Sequence, residues 1–330
     1  MPGASPPNEA DLAPSDGAAR DVAARVPAAA SAGARGAARR LAGAFTVDVE
    51  EYFHAETLRP AAAPSAWDSL ESRVEGAVDR LLDILDERRT RATFFVLGWV
   101  AERRPALVRQ IAERGHEVAS HGYGHVMLDA LDPAGFRRDL RRARAAIEDA
   151  ARARVEGYRA PTWSIGPGTA WALDVLIEEG YRYDSSIFPV RHDRYGDPRA
   201  PIVPHRLARA GGSIVEVPPL VLRAFGQNLP AAGGGYLRLL PFRYTRRAVA
   251  DAVAEGRPAV LYIHPWEIDR RQPRLAVGTL RALRHYAGIG RVEEKLVRLL
   301  ADHRYGTVAA IVRAFEAEEA SGTPGDRRAA

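Results

Sequence analysis

The chain has 330 residues, 46% of them hydrophobic, and no cysteine, so it can bury a sizeable core but has no disulfide, thiolate metal site or cysteine nucleophile. Its net charge of +5 comes from arginine, with Lys295 the single lysine. Most arginines alternate with acids, as in GFRRDLRRARAAIEDAARAR, the pattern of a solvated helix face rather than a basic stripe interleaved with aromatics.

Nucleic acid is therefore not an expected partner, whereas an anionic polysaccharide suits the same charge. No apolar run reaches the roughly 20 residues that span a bilayer, and the N-terminus lacks a basic flank followed by an apolar core. The expectation is a cytoplasmic chain without stable membrane insertion; its oligomeric state is not legible.

Residues 1–43 are rich in Ala, Pro, Gly and Ser and read as a disordered tail until the β-branched and aromatic run AFTVDVEEYF begins. From there AFTVDV, RATFFVLG, HEVASHG, RVEGYRAP, RYDSSIF, SIVEVPP and AVLYIHP have the look of strands. Helical patterns lie between them: RVEGAVDRLLDILDER, PALVRQIAERG, PAGFRRDLRRARAAIEDAARA, GTAWALDVLIEEG and RYTRRAVADAVAEG. Repeated β then α predicts parallel strands with helical crossovers, and six or seven units favour a barrel with its chemistry at the strand C-terminal ends. Residues 189–241 interrupt the rhythm with loops suited to shaping a groove. RALRHYAGIGRVEEKLVRLLADHRYGTVAAIVRAF is predicted helical, closing one side of the barrel. The domain is predicted to span 44–317, with 318–330 a loose tail.

The chemistry-bearing residues sit at those strand ends. Asp48 and Glu50 alternate in TVDVEEYFH and leave the same face of the strand, either as solvated turn carboxylates or converging on a cation. SHGYGH spaces His121 and His125 four apart between glycines, either an accident of a polar loop or two arms of a metal site. Two histidines and a carboxylate make a complete open site. Arg159 in GYRAPTW holds a carboxylate in orientation or forms a structural ion pair. Asp184 in RYDSSIF caps the next segment or supports a histidine. His264 in LYIHPWEID projects from a strand tip, a rim group or a general acid.

With TVDVEEYFH, SHGYGH, YRAPTW, YDSSIFP and LYIHPWEID in this order, the chain resembles the polysaccharide deacetylase family with the NodB homology domain, of the carbohydrate esterase family 4 type. HPWEIDRRQPRL and LRHYAGIGRVEEKL resemble the narrower subfamily that accompanies exosortase systems. The resemblance covers about residues 43–316 and implies an α/β fold, a distorted (β/α)7 barrel. It implies Asp48 as general base, Glu50, His121 and His125 as ligands of a divalent metal (Zn2+, with Co2+ as the other candidate), Arg159 orienting Asp48, Asp184 supporting His264, His264 as general acid and the Thr162 backbone N–H on the oxyanion. Trp163 and Trp266, inside the same motifs, are expected to contact substrate.

The implied reaction is metal-dependent removal of N-acetyl groups from N-acetylhexosamine units of an exopolysaccharide or its precursor, so the expected partner is an N-acetylated polysaccharide or oligosaccharide. One departure stands out: the wider family usually has Asp where Glu50 stands, and Glu50 is a methylene longer. Two other readings keep the scaffold: hydrolysis of a small cyclic amide, as in allantoinase-like proteins, and non-catalytic carbohydrate binding.

Overall fold

The computed structural model describes residues 41–322. The tails read at 1–43 and 318–330 therefore lie mostly outside the described residues. Strand β1 (Gly43–Val49) is followed by α1 (Val74–Glu87), β2 (Thr93–Val96), α2 (Gly98–Arg103), α3 (Pro105–Glu113), β3 (Glu117–Ser120), α4 (Pro133–Ala151), β4 (Gly157–Tyr158), α5 (Trp171–Glu178) and β5 (Tyr183–Asp184). Then come β6 (His205–Arg209), β7 (Gly212–Glu216), β8 (Val221–Ala224), β9 (Gln227–Pro230), α6 (Gly234–Leu239), α7 (Phe242–Ala254), β10 (Ala259–Ile263), α8 (Thr279–Tyr286), α9 (Val292–Asp302), β11 (Tyr305–Gly306) and α10 (Val308–Ala320). The last helix runs past the expected domain end at 317. The stretch 189–241, expected as loops apart from SIVEVPP, also holds strand β6, antiparallel to β7, the separate β8–β9 hairpin and helix α6.

Seven parallel strands stand in the order β10-β1-β2-β3-β4-β5-β7, with β6 on the outer edge and β11 beside the start of β1. No continuous ladder joins β7 to β10. The gap is bridged where Leu220 N–H donates to Val260 O at 3.0 Å and Tyr262 N–H to Ala232 O at 2.9 Å. Gly233 makes this approach possible, since a Cβ there would lie 1.7 Å from Tyr262 O. The architecture is thus the expected (β/α)7 barrel with a loosely stitched seam.

The period-2 alternation of the strands sorts two cores. Phe45, Val47, Val49, Phe94, Val96, Leu261 and Ile263 pack outward with Leu81, Leu85, Val108 and Phe136 of the helices. Ala44, Phe95, Ala119, Tyr183, Val215 and Val260 fill the interior, joined by Val308 and Val312 of α10. That helix is docked by polar contacts, with Val308 N–H donating to Thr93 Oγ1 and Ala309 N–H to Glu117 Oε2. The stretch around β11 and α10 therefore plugs one end of the barrel and leaves the strand C-terminal ends to the other.

Candidate functional site

Asp48, on the inward face of β1, and Glu50, the first residue beyond it, share one side as their spacing predicts. His121 follows β3 directly, and the chain then turns through Gly122, whose φ of +74° and close neighbour Asp139 Oδ2 leave no room for a side chain. Asp139 holds the turn by accepting from Tyr123 N–H at 2.9 Å. His125 ends it, itself at φ +51°. Gly124 has open space around it and is not sterically required.

The result is a cluster in which one ligand atom each from Glu50, His121 and His125 lies within 4.8 Å of the others, all three side chains buried. His121 Nδ1 donates to Arg159 O at 2.8 Å, which directs Nε2 to the cluster. Burial pushes His121 down to about 4, so its ring is neutral. Burial works against the charges of Glu50 and His125, but their mutual attraction wins: Glu50 is held well below the usual carboxylate range and His125 is raised.

The buried Glu50 Oε2 has no geometrically sound hydrogen bond, its nearest polar neighbour being His125 Nε2 at 3.0 Å. A buried carboxylate oxygen beside two imidazoles is the donor set a divalent ion completes, and the longer Glu50 side chain reaches the cluster without difficulty.

Arg159, directly after β4, is fully buried and grips Asp48. Its Nη1 donates to Asp48 Oδ1 and to Thr46 Oγ1, both at 2.7 Å, and its Nε and Nη2 to Ser185 O and Oγ. The guanidinium also lies over the Phe95 ring at 4.0 Å. With four of its five N–H donors engaged, the ion pair is rigid rather than incidental. Beyond it, Thr162 and Trp163 both adopt left-handed backbone, φ +56° and +55°, at the wall of the cavity. For a β-branched residue this conformation is strained, and such strain is held where a turn must aim its backbone.

His264, directly after β10, has its Nε2 3.4 Å from Glu50 Oε1 and 4.0 Å from Asp48 Oδ2. Its supporting carboxylate is Glu267 and not, as expected, Asp184. Nδ1 meets Glu267 Oε2 at 3.1 Å, the same oxygen accepts from His264 N–H, and Arg238 Nε donates to Glu267 Oε1 at 2.7 Å. Although burial opposes it, the charges of Glu50 and Glu267 raise His264 to about 9, so the ring is a cation at neutral pH.

Asp184 instead faces Glu216, its register partner on β7, and accepts from Ser186 Oγ, which in turn accepts from Ala160 N–H. Burial raises both acids, Asp184 to about 6 and Glu216 well above the usual carboxylate range, and each retains one oxygen without a donor. Two buried carboxyls at adjacent strand ends satisfy those oxygens by sharing a proton. Strand order decides the exchange of partners: β5 and β7 are neighbours, while β10 lies on the far side of the seam.

Trp266 lines the cavity, but its indole N–H donates to Glu50 Oε1 at 3.2 Å and its faces stack on His264 and His285, centroids 5.0 and 4.3 Å away, so only its edge is open to a ligand. Trp163 borders the cavity while packing on Phe188 and Tyr262.

Sequence reasoning missed Glu267, although H-P-x-E around a proline turn, with the acid three residues past the histidine, was a usable signal. It also missed Glu216, a lone charge in the apolar run SIVEVPP. Nothing in GGGYLRLL marked Arg238.

The cavity over these strand ends has a volume of about 420 Å³. A second, of about 270 Å³, adjoins it through Trp163, His192, Arg194 and Tyr195.

Residues 65–183 match the polysaccharide deacetylase family model, and residues 185–313 a domain of unknown function, DUF3473. The chitooligosaccharide deacetylase of Sinorhizobium fredii is 42% identical over 97 residues, 29% of this chain and 42% of that protein. The peptidoglycan deacetylase of Helicobacter pylori is 29% identical over 127 residues, 37% of this chain and 42% of that protein. The matches thus span less than half the length of these curated relatives. A crystal structure from Mycobacterium smegmatis, described as a polysaccharide deacetylase, superposes with a TM-score of 0.55 at 29% identity, covering 84% of this chain and 90% of that one.

Proposed function

We propose that this chain, which carries a polysaccharide deacetylase domain, hydrolyses N-acetyl groups on N-acetylhexosamine units of an exopolysaccharide or its precursor and releases acetate. The observation that carries the reading is the convergence, at the ends of β1, β3, β4 and β10, of Asp48 gripped by Arg159, a buried His/His/Glu cluster and a cationic histidine. Support for a glycan chain over a small cyclic amide comes from the second cavity adjoining the first. The names of the similar proteins, chitooligosaccharide and peptidoglycan deacetylases, point to the same class of substrate.

Glu50, His121 and His125 would hold a divalent ion, preferentially Zn2+ with Co2+ as a substitute, since imidazole and carboxylate donors suit both. Such an ion supplies Lewis acidity, which lowers the pKa of water and polarises the amide carbonyl. Asp48, kept in orientation by Arg159 and Thr46 through Nη1, takes the proton from the attacking water. The Thr162 N–H, on the strained turn, donates to the oxygen that becomes negative. His264, protonated and aligned by Glu267, gives its proton to the departing amine as the C–N bond breaks, leaving acetate and a free amino sugar.

The test is acetate release from N-acetylglucosamine oligomers by the full chain, after chelation and after restoring zinc or cobalt. Release that stops on chelation and returns with metal is expected. No release from metal-bound protein would overturn deacetylation of these glycans and bring forward the cyclic amide.

A further inference from the structure

We propose that the rim of the metal-site cavity formed by α8 and the end of α6 is a docking surface for an anionic lipid bilayer. Two independent features of one short stretch carry this. The first is apolar exposure. Leu280 and Leu283, one turn apart on α8, are 79% and 63% exposed, and Leu239 at the end of α6 is 53% exposed. A single exposed leucine means little, but residues three apart share a helix face. Arg238 binds α6 to the end of α8 through the carbonyls of Arg284, His285 and Ala287.

The second feature is charge. From Arg270 to Val292 the chain has six arginines and no Asp or Glu. Several surface arginines elsewhere are matched, as where Arg137 and Arg141 grip Glu178 and Glu179. On α8, neither Arg281 nor Arg284 has a carboxylate within ion-pair distance among the described residues. Leucines standing out between unmatched arginines are the pattern of a helix that lies in the headgroup layer.

Charge complementarity selects the occupant. A second copy would bring arginine against arginine across a two-fold axis. Three leucines also fall far short of the roughly 1,200 Å² or more that a stable interface buries. An anionic bilayer accepts both the arginines and the leucines. Among the described residues no helix is long and apolar enough to cross a membrane, which agrees with a peripheral contact. Arg284 and Leu239 also line the metal-site cavity, so docking would turn its mouth toward the lipid surface and toward glycans attached there.

The experiment is co-sedimentation of the full chain with vesicles of phosphatidylcholine alone, or of phosphatidylcholine and phosphatidylglycerol in equal parts, at low and high salt. Binding to the anionic vesicles that weakens with salt is expected. Arg281→Gln should weaken it by about five-fold, the equivalent of ~1 kcal/mol per basic residue at such a surface. The double variant Leu280→Ser with Leu283→Ser should lose most of it at an unchanged melting temperature and unchanged turnover of soluble oligomers. Absence of binding to anionic vesicles, or undiminished binding by the leucine variant, would overturn the proposal. So would a wild-type dimer that the leucine variant splits, since the face would then belong to a second copy. The readout needs no turnover, so its failure is distinguishable from failure of the deacetylase reading.

Discussion

Glu267 and Asp48 illustrate two ways in which a carboxylate serves a neighbouring group. In the proposed mechanism Asp48 takes the water proton, so Asp48→Asn is expected to lower kcat by at least ~10²-fold, the scale of lost general-base catalysis, with metal content unchanged. Loss of metal in that variant would exchange the roles of Asp48 and Glu50. Glu267 acts only through His264, holding Nδ1 and adding to the charge that raises the ring to about 9. A histidine acid is lost as pH rises through its pKa, so activity should fall on the alkaline side. Glu267→Gln keeps an acceptor but removes a charge. It should reduce kcat by roughly 10- to 100-fold, as outer partners of functional histidines do, and move the alkaline limb to lower pH. An unmoved limb would show Glu267 to be merely structural.

At the scale of elements, pairing of β5 with β7 sets Asp184 against Glu216, and Ser186 links that pair to Ala160, next to the strained turn at Thr162 and Trp163. Both acids have raised folded pKa values, so the stability they contribute is fully present below the unfolded carboxylate range. It is lost as pH rises, through about 6 for Asp184 and through a likewise raised range for Glu216. Glu216→Gln removes the like charge and keeps the shape. The melting temperature of the variant relative to the parent should therefore rise steadily from pH 4 to pH 7. A gap that is constant with pH would mean that the two carboxyls do not share a proton.

For the whole molecule, the proposed metal ligands come from the ends of β1 and β3, with β2 between them, so an ion there would tie together strands far apart in sequence. Ligand binding to the folded state alone stabilises by mass action, ~2.7 kcal/mol at 100 times Kd. Thermal melting should accordingly shift upward when zinc is added to chelated protein. The shift should survive Asp48→Asn and vanish in Glu50→Gln. Equal shifts in both variants would place the ion elsewhere.

The barrel and most of its mouth are legible along the chain. Period-2 and period-3.6 patterns are local, and Asp48, Glu50, His121, His125, Arg159 and His264 each stand at the end of a recognisable strand run. Partners across strands emerge only in the folded molecule. It paired His264 with Glu267 rather than Asp184, turned Trp266 edge-on to Glu50, and stitched the seam through Gly233 and Tyr262. These choices depend on strand order and on which side of the seam a residue falls, and hydrophobic periodicity along one chain carries no information about either.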